Sequence, residues 1–223
     1  MAKSRAKFIT FEGTEGAGKS TLIAIKALHA ALTLPNTAIL VLSTSERQAG
    51  ALVEIAANFT AQLQLPRKRL PGYEYSLQLP NGSRIFAVPA ASATRGPAAS
   101  IVIVDDAALV PDHRIAAVTP SLTRTTGSLW LLSTPNGQSG LFYNVWHNKN
   151  LPLWLRCKAT VDDMPRATPA FLSEQRALFP LSFRQDFYCE FLPPHGALLS
   201  REEVERMFQF GDSIPLHPQN PPG

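Results

Sequence analysis

The stretch Phe8-Ile9-Thr10-Phe11-Glu12-Gly13-Thr14-Glu15-Gly16-Ala17-Gly18-Lys19-Ser20 decides the fold. Its first residues are β-formers that run into Gly13. Residues Gly13 to Ser20 then fit the pattern G-x-x-x-x-G-K-[ST]. From Ser20 to Leu32, apolar side chains recur at Leu22, Ile23, Ile25, Leu28 and Leu32, a mostly helical spacing. A strand, a glycine loop and a helix in that order form the context in which the pattern binds phosphate. Glycines let the backbone bend so that its N–H groups point at phosphate oxygens. The helix N-terminus adds partial positive charge. Lys19 is expected to reach the β- and γ-phosphates, and the Ser20 hydroxyl to hold Mg²⁺. The expected nucleotide-binding set is therefore Gly13, Thr14, Glu15, Gly16, Ala17, Gly18, Lys19, Ser20 and Thr21.

A second signal lies further along. Ile101-Val102-Ile103-Val104 is apolar on both faces, as in a central parallel strand covered by helices on both sides. It ends in Asp105-Asp106. Such a strand delivers an acid to Mg²⁺ at the sheet edge, which assigns Asp105 to the metal. Asp106 is then placed to polarise the attacking water as general base. Ser133-Thr134-Pro135 follows the next strand-like run, Ser128 to Leu132, where hydroxyls can sense the γ-phosphate. Arg95, in a loop of small residues, is a candidate arginine finger.

The remaining pattern is strand and helix in alternation. Ala38 to Leu42 reads as a buried strand. Glu46 to Leu65 reads as a helix with Leu52, Ile55, Ala56, Phe59 and Leu63 on one face. Tyr73 to Leu79 and Arg84 to Val88 flank Asn81-Gly82, a hairpin signal. Ten of the 19 prolines lie from Pro152 onward, so a boundary is expected near residue 150. Beyond it a strand (Leu153 to Ala159), helices over Thr168 to Phe179 and Leu181 to Phe191, and a short helix over Arg201 to Phe208 are expected. Ser213 to Gly223 reads as a proline-rich tail. The expected division is 1–150 core, 151–200 small lid or linker subdomain, and 201–223 C-terminal helix and tail.

Composition sets the outer limits. The chain has 223 residues, 45 % hydrophobic and only 17 % charged, which excludes a highly charged disordered chain. The longest apolar runs are a few residues, far short of the ~20 of a membrane span. No apolar leader with a cleavage site follows the basic start Lys3/Arg5/Lys7, so no signal peptide is expected. Cys157 and Cys189 make no disulfide framework or metal cluster and are expected as reduced thiols. The net charge of +4 is compatible with a polyanionic partner, and Arg67-Lys68-Arg69 is a first place for it to touch.

Two resemblances meet in these residues. The opening, Phe8 to Gly13 with Gly18-Lys19-Ser20-Thr21-Leu22, looks like the start of a thymidylate kinase. From about Ala38 to Ala197 the chain resembles the ATPase domain of a large terminase subunit, the motor that packages viral DNA. The matching stretches include Val41-Leu42-Ser43, Glu46-Arg47-Gln48-Ala49, Thr94-Arg95-Gly96, Ile103 to Ala108, Leu131 to Gly137, Gly140 to Tyr143 and Phe183 to Phe191. This resemblance implies an α/β P-loop NTPase of the additional-strand type, with a mostly parallel sheet, helices on both faces and a small C-terminal lid. It implies ATP and Mg²⁺ as cofactors, Lys19 and Asp106 as catalytic residues, Arg95 as a finger between ring neighbours, and Ser133-Thr134-Pro135 as coupling motif. It implies double-stranded DNA, a homo-oligomeric ring on a portal and a small terminase subunit as partners, in the cytoplasm of a bacterial host and with no membrane. Three departures stand out. Thr14 and Glu15 occupy the loop where the family usually carries an arginine or lysine. Asp106 stands where it usually has Glu. The family's nuclease domain would begin near this chain's end, and no acidic cluster remains to hold two metals, so no DNA cleavage is expected. A nucleoside monophosphate kinase would need an arginine-rich lid and a base pocket after the second strand. A non-catalytic assembly module with a degenerate site is the other alternative.

Overall fold

The computed structural model describes residues 8–14, 16–88 and 98–193, with the side chains of Phe8 and Arg124 left aside. Lys3, Arg5, Lys7, Glu15, Arg95, the expected helix over 201–208 and the tail lie outside these residues. By its contacts the chain divides into Met1–Leu192 and Pro193–Gly223, and every element below belongs to the first.

The first two strands, β1 (Phe8–Gly13) and β2 (Ala38–Leu42), flank helix α1 (Lys19–Thr33). Helix α2 (Glu46–Gln62) follows, opened by Ser45, whose side chain accepts from the Gln48 amide as an N-cap. The hairpin is β3 (Ser76–Gln78) with β4 (Arg84–Ala87), joined through Asn81-Gly82 as expected. Then come β5 (Ile101–Val104), α3 (Asp112–Val118), a 3₁₀ stretch Thr119–Thr125 and β6 (Ser128–Ser133). Helix α4 (Gly140–His147) leads to β7 (Trp154–Ala159), and α5 (Pro169–Leu178) and α6 (Phe183–Tyr188) close the described chain.

All seven strands form one sheet in the order β3-β4-β2-β5-β6-β1-β7. Only β3 runs antiparallel to its neighbour. β6 therefore stands between the glycine-loop strand β1 and the acid strand β5, which is the additional-strand arrangement. β5 sits at the centre, as its unbroken apolar run requires. Alternation sends its side chains to two cores. Ile101 and Ile103 join Ile39, Val41, Trp130 and Leu132 under α1 and α2. Val102 and Val104 join Leu40, Leu42, Leu129 and Leu131 under α3 and α4. β7 lies within the stretch assigned from sequence to the small subdomain, yet it pairs with β1 along its whole length and forms the sheet's edge.

The helix faces differ from the expected ones. In α1 the buried stripe is Ile23, Ala24, Ala27, Leu28 and Ala31, whereas Leu22, Ile25 and Leu32 are exposed. Small alanines let the helix lie close to the sheet, and period alone does not choose between two overlapping apolar stripes. In α2, Leu52 and Ala56 are buried as expected; the helix ends at Gln62, short of the expected Leu65, and Leu63 just beyond it is exposed. Helices α3 and α4 were not expected. Seven and eight residues long, they are too short for a periodic signal.

Candidate functional site

Parallel strands all end on one edge of the sheet, so β1, β5 and β6 deliver Gly13, Asp105 and Ser133 to the same place. This edge is where an open α/β sheet forms its crevice, and among the described residues Lys19, Ser20, Asp105, Asp106, Ser133 and Thr134 meet there, while Glu15 and Arg95 lie outside the described residues.

The glycine loop is shaped by backbone demands. Gly18 is the N-cap of α1 with φ 77°, a left-handed conformation that L side chains rarely adopt. Gly13 lies so close to Lys19 that a Cβ there would sit 2.9 Å from the lysine stem. Lys19 is buried and threads back over the loop. Its Nζ donates to the carbonyls of Gly13 at 2.9 Å and Thr14 at 3.0 Å, and to Thr134 Oγ1 at 3.1 Å. Thr134 Oγ1 in turn donates to the Gly13 carbonyl at 2.9 Å. The loop, its lysine and the hydroxyl beyond β6 thus form one connected cluster.

On the other side of β6, Ser20 Oγ donates to Asp105 Oδ2 at 2.9 Å. Asp105 Oδ1 accepts from the Asp106 amide at 3.2 Å. Burial and the neighbouring Asp106 charge push the Asp105 carboxyl above its usual range, with the Ser20 hydrogen bond, the Asp106 amide and Lys19 acting the other way. Asp106 has φ 53°, a left-handed backbone for a non-glycine residue, which turns the chain sharply as it leaves β5. Ser133 is buried, and its Oγ accepts from the Ala108 amide at 3.2 Å, tying the loop after β5 to the end of β6. Asp106, Ser133, Thr134 and Asn136 line a cavity of about 530 Å³ whose far wall is Phe179, Gln185 and Phe187. A second cavity of about 490 Å³ lies beside Gly16 and Thr21, walled by Leu22, Ile25, Met164, Pro165 and Arg166.

The sequence reading missed the connection between the loop and the chain after β7. Thr14 Oγ1 donates to the Asp186 carbonyl in α6. The Thr14 amide donates to the Ala159 carbonyl at 3.1 Å. Glu12, two residues earlier, is fully buried. Its one sequence signal is an acid inside a strand whose other side chains, Thr10 apart, are apolar. Arg67, Lys68 and Arg69 are exposed, beside a cavity of about 440 Å³ that Glu54, Glu74 and Tyr75 also line.

The family model described as "Terminase large subunit, T4likevirus-type, N-terminal" matches residues 10–206. The chain belongs to this family. Among solved structures it is similar to the large terminase ATPase domain of Thermus phage P74-26, at 20 % identity and TM-score 0.71, covering 85 % of this chain and 90 % of that one. It is also similar to the large terminase of a thermophilic bacteriophage in complex with ATP-γ-S, at 14 % identity and TM-score 0.70, covering 85 % of this chain. The present chain spans about half the length of that protein, 48 %. The N-terminal domain of the DNA packaging ATPase from bacteriophage phi29 aligns at 13 % identity and TM-score 0.51, over 73 % of this chain and 94 % of that one. No curated protein matches significantly in sequence. At these identities the structural likeness establishes the terminase ATPase fold, and the family model establishes membership. No helix among the described residues is long and apolar enough to cross a membrane.

Proposed function

We propose that this terminase domain binds Mg-ATP at the edge formed by β1, β5 and β6, hydrolyses it, and couples the hydrolysis to movement of double-stranded DNA. One observation carries the reading: Lys19, Ser20, Asp105 and Thr134, scattered over 116 positions of sequence, meet through hydrogen bonds of 2.9–3.1 Å. Support comes also from the names of similar structures. The large terminase of the thermophilic bacteriophage was solved with ADP and with ATP-γ-S, and the phi29 protein is called a DNA packaging ATPase.

The roles follow from charge and placement. Residues Gly13 to Thr21, Glu15 included, surround the phosphates; the Thr14 amide donates to the Ala159 carbonyl, so the cradle draws on the amides closer to α1, and Lys19 neutralises the β- and γ-phosphates. Ser20 Oγ and Asp105 Oδ2 are adjacent hard oxygen donors and fit a divalent cation of the Mg²⁺ kind. Such a cation supplies charge neutralisation at the phosphates when bound. Asp106 accepts the proton of the attacking water. Ser133 and Thr134 report the state of the phosphate end, and Arg95 supplies a cation in the ring. The apolar cavity beside Gly16 adjoins the loop where a base needs flat walls. The core runs through β7, and the lid comprises the residues that follow it. The ring, the portal and a small terminase subunit complete the setting, in the cytoplasm of the bacterial host. The activity proposed for these residues is movement of DNA rather than its cleavage.

The test is ATP turnover by the purified chain with and without double-stranded DNA, alongside incubation with supercoiled plasmid. Turnover that DNA stimulates, with the plasmid intact, supports the reading. Nucleotide binding without turnover, in either condition, replaces it with the non-catalytic assembly module. Phosphoryl transfer to a nucleoside monophosphate would replace it with a kinase.

A further inference from the structure

The seven strands hold a single acidic side chain, Glu12. It lies in register between Ser133 of β6 and Lys158 of β7. Its two carboxylate oxygens make no hydrogen bond, and its charged contact is Lys158 Nζ, 3.5 Å from Oε1. A buried carboxylate with one partner is a poor way to stabilise a core, since an apolar side chain of similar size usually does as well or better. The pair is more informative for what it holds. Lys158 Nζ also donates to the Cys189 carbonyl at 3.2 Å. Cys189 ends α6 in a left-handed conformation, φ 53°, and its thiol donates to the Ala159 carbonyl at 3.4 Å. One turn earlier, the Asp186 carbonyl accepts from Thr14 of the glycine loop. The end of α6 and the turn that leaves it are thus fastened at three points: the glycine loop, the Ala159 carbonyl of β7 and a lysine aimed by Glu12. Because 41 % of the Lys158 side chain is exposed, the ammonium has solvent as its alternative.

We propose that Glu12 and Lys158 form a latch that couples the glycine loop to the α6 turn, with Glu12 as the positioning residue. Ionised Glu12 holds the Lys158 ammonium under the Cys189 carbonyl. Neutral Glu12 leaves the ammonium with that carbonyl and water, and the α6 turn opens more often. Three groups bear on this centre: Lys158 from β7, the Cys189 thiol from the α6 turn, and Lys19 from α1, whose charge also reaches that thiol. Burial pushes the Glu12 carboxyl up to about 7, with Lys158 pulling it down, which puts the change of state inside the physiological range.

The test is amide hydrogen exchange on the full chain without nucleotide, from pH 6 to pH 8, corrected for intrinsic rates. Wild type, Glu12→Gln, Lys158→Met and Lys158→Arg are compared, with α1 amides as internal reference. In wild type, protection of residues 184–190 is expected to rise about fivefold over this range, toward the roughly tenfold limit that one pH unit of coupling carries. Glu12→Gln and Lys158→Met are expected to stay at the low-pH level throughout, and Lys158→Arg to keep the rise. A pH response in Glu12→Gln equal to wild type overturns the latch. So does unchanged protection in Lys158→Met, or a loss that includes the α1 amides equally, which marks a merely structural pair. Because no nucleotide is present, none of these outcomes depends on the ATPase reading.

Discussion

Ser20 Oγ donates to Asp105 Oδ2 at 2.9 Å, although 85 positions of sequence separate the two residues. One stands at the start of α1, the other at the end of β5, and the strand β6 intervenes between their sheet neighbours. Parallel pairing of all three strands brings the two oxygens together. Asp105→Asn keeps the size of the side chain and an oxygen that still accepts from Ser20, but removes the charge. In a fluorescent-nucleotide titration, Mg²⁺ should tighten binding to wild type. Asp105→Asn should lose that effect, weakening binding in Mg²⁺ by about tenfold or more, about 1.4 kcal/mol. A Mg²⁺ effect that survives the substitution assigns the cation elsewhere.

The family resemblance sets Asp106 at a position where it implies the longer acid, and the proposed role of Asp106 is general base. A general base ~1 Å out of place costs roughly 10²-fold in rate. Asp106→Glu is therefore expected to raise steady-state turnover, and Asp106→Asn to reduce it to background while nucleotide affinity stays within about twofold. Equal turnover in wild type and Asp106→Asn removes Asp106 from the reaction.

Glu12 also writes itself into the pH dependence of stability. Its folded value of about 7 lies above the usual 4.5, so the folded state binds a proton more tightly than the unfolded chain. The resulting stability is fully present below pH 4.5 and is lost as pH rises through about 7. Urea unfolding of wild type should show that decline, superposed on the behaviour of the other groups. Glu12→Gln should flatten it between pH 5 and pH 8. A decline of the same size in the variant refutes the assignment to Glu12.

The alternation of strand and helix, the glycine loop and the acid strand were all readable in the sequence, because each rests on local chemistry. Gly18 needs a left-handed backbone, and Ile101 to Val104 need cover on both faces. What escaped rests on partners distant in sequence. Nothing near Glu12 announces Lys158 or the Cys189 carbonyl, which only the β1–β7 register and the α6 turn bring close. The exposed side of α1 escaped for another reason. Leu22 and Ile25 are as apolar as Ile23 and Leu28, and only the fit of Ala24, Ala27 and Ala31 against the sheet selects the buried stripe. The terminase resemblance, read from about Ala38 to Ala197, agrees with the family model, which extends over residues 10–206 and so takes in the glycine loop, whose sequence looks like the start of a thymidylate kinase.

The two thiols should separate cleanly in reactivity. Cys189 is buried, and burial together with the Glu12 charge pushes its thiol up to about 12, so it holds almost no thiolate at pH 8. Cys157 is only partly buried. Iodoacetamide at pH 8 should modify Cys157 in the folded chain and reach Cys189 only in denaturant, as read by peptide mass. Labelling of Cys189 first would contradict the packing of the α6 turn.

The central claim is that Lys19 and its cluster work on nucleotide phosphate. The most direct measurement is steady-state ATP hydrolysis, with double-stranded DNA present, by wild type and Lys19→Ala. Lys19 Nζ is held by two loop carbonyls and Thr134 Oγ1, so its removal takes away the cation that the proposal assigns to the phosphates while the apolar strand cores keep their side chains. The account predicts measurable turnover in wild type and a loss of about 10²–10³-fold in Lys19→Ala, the size seen when a preorganised charge-stabilising group is deleted. Turnover that survives Lys19→Ala undiminished would contradict it.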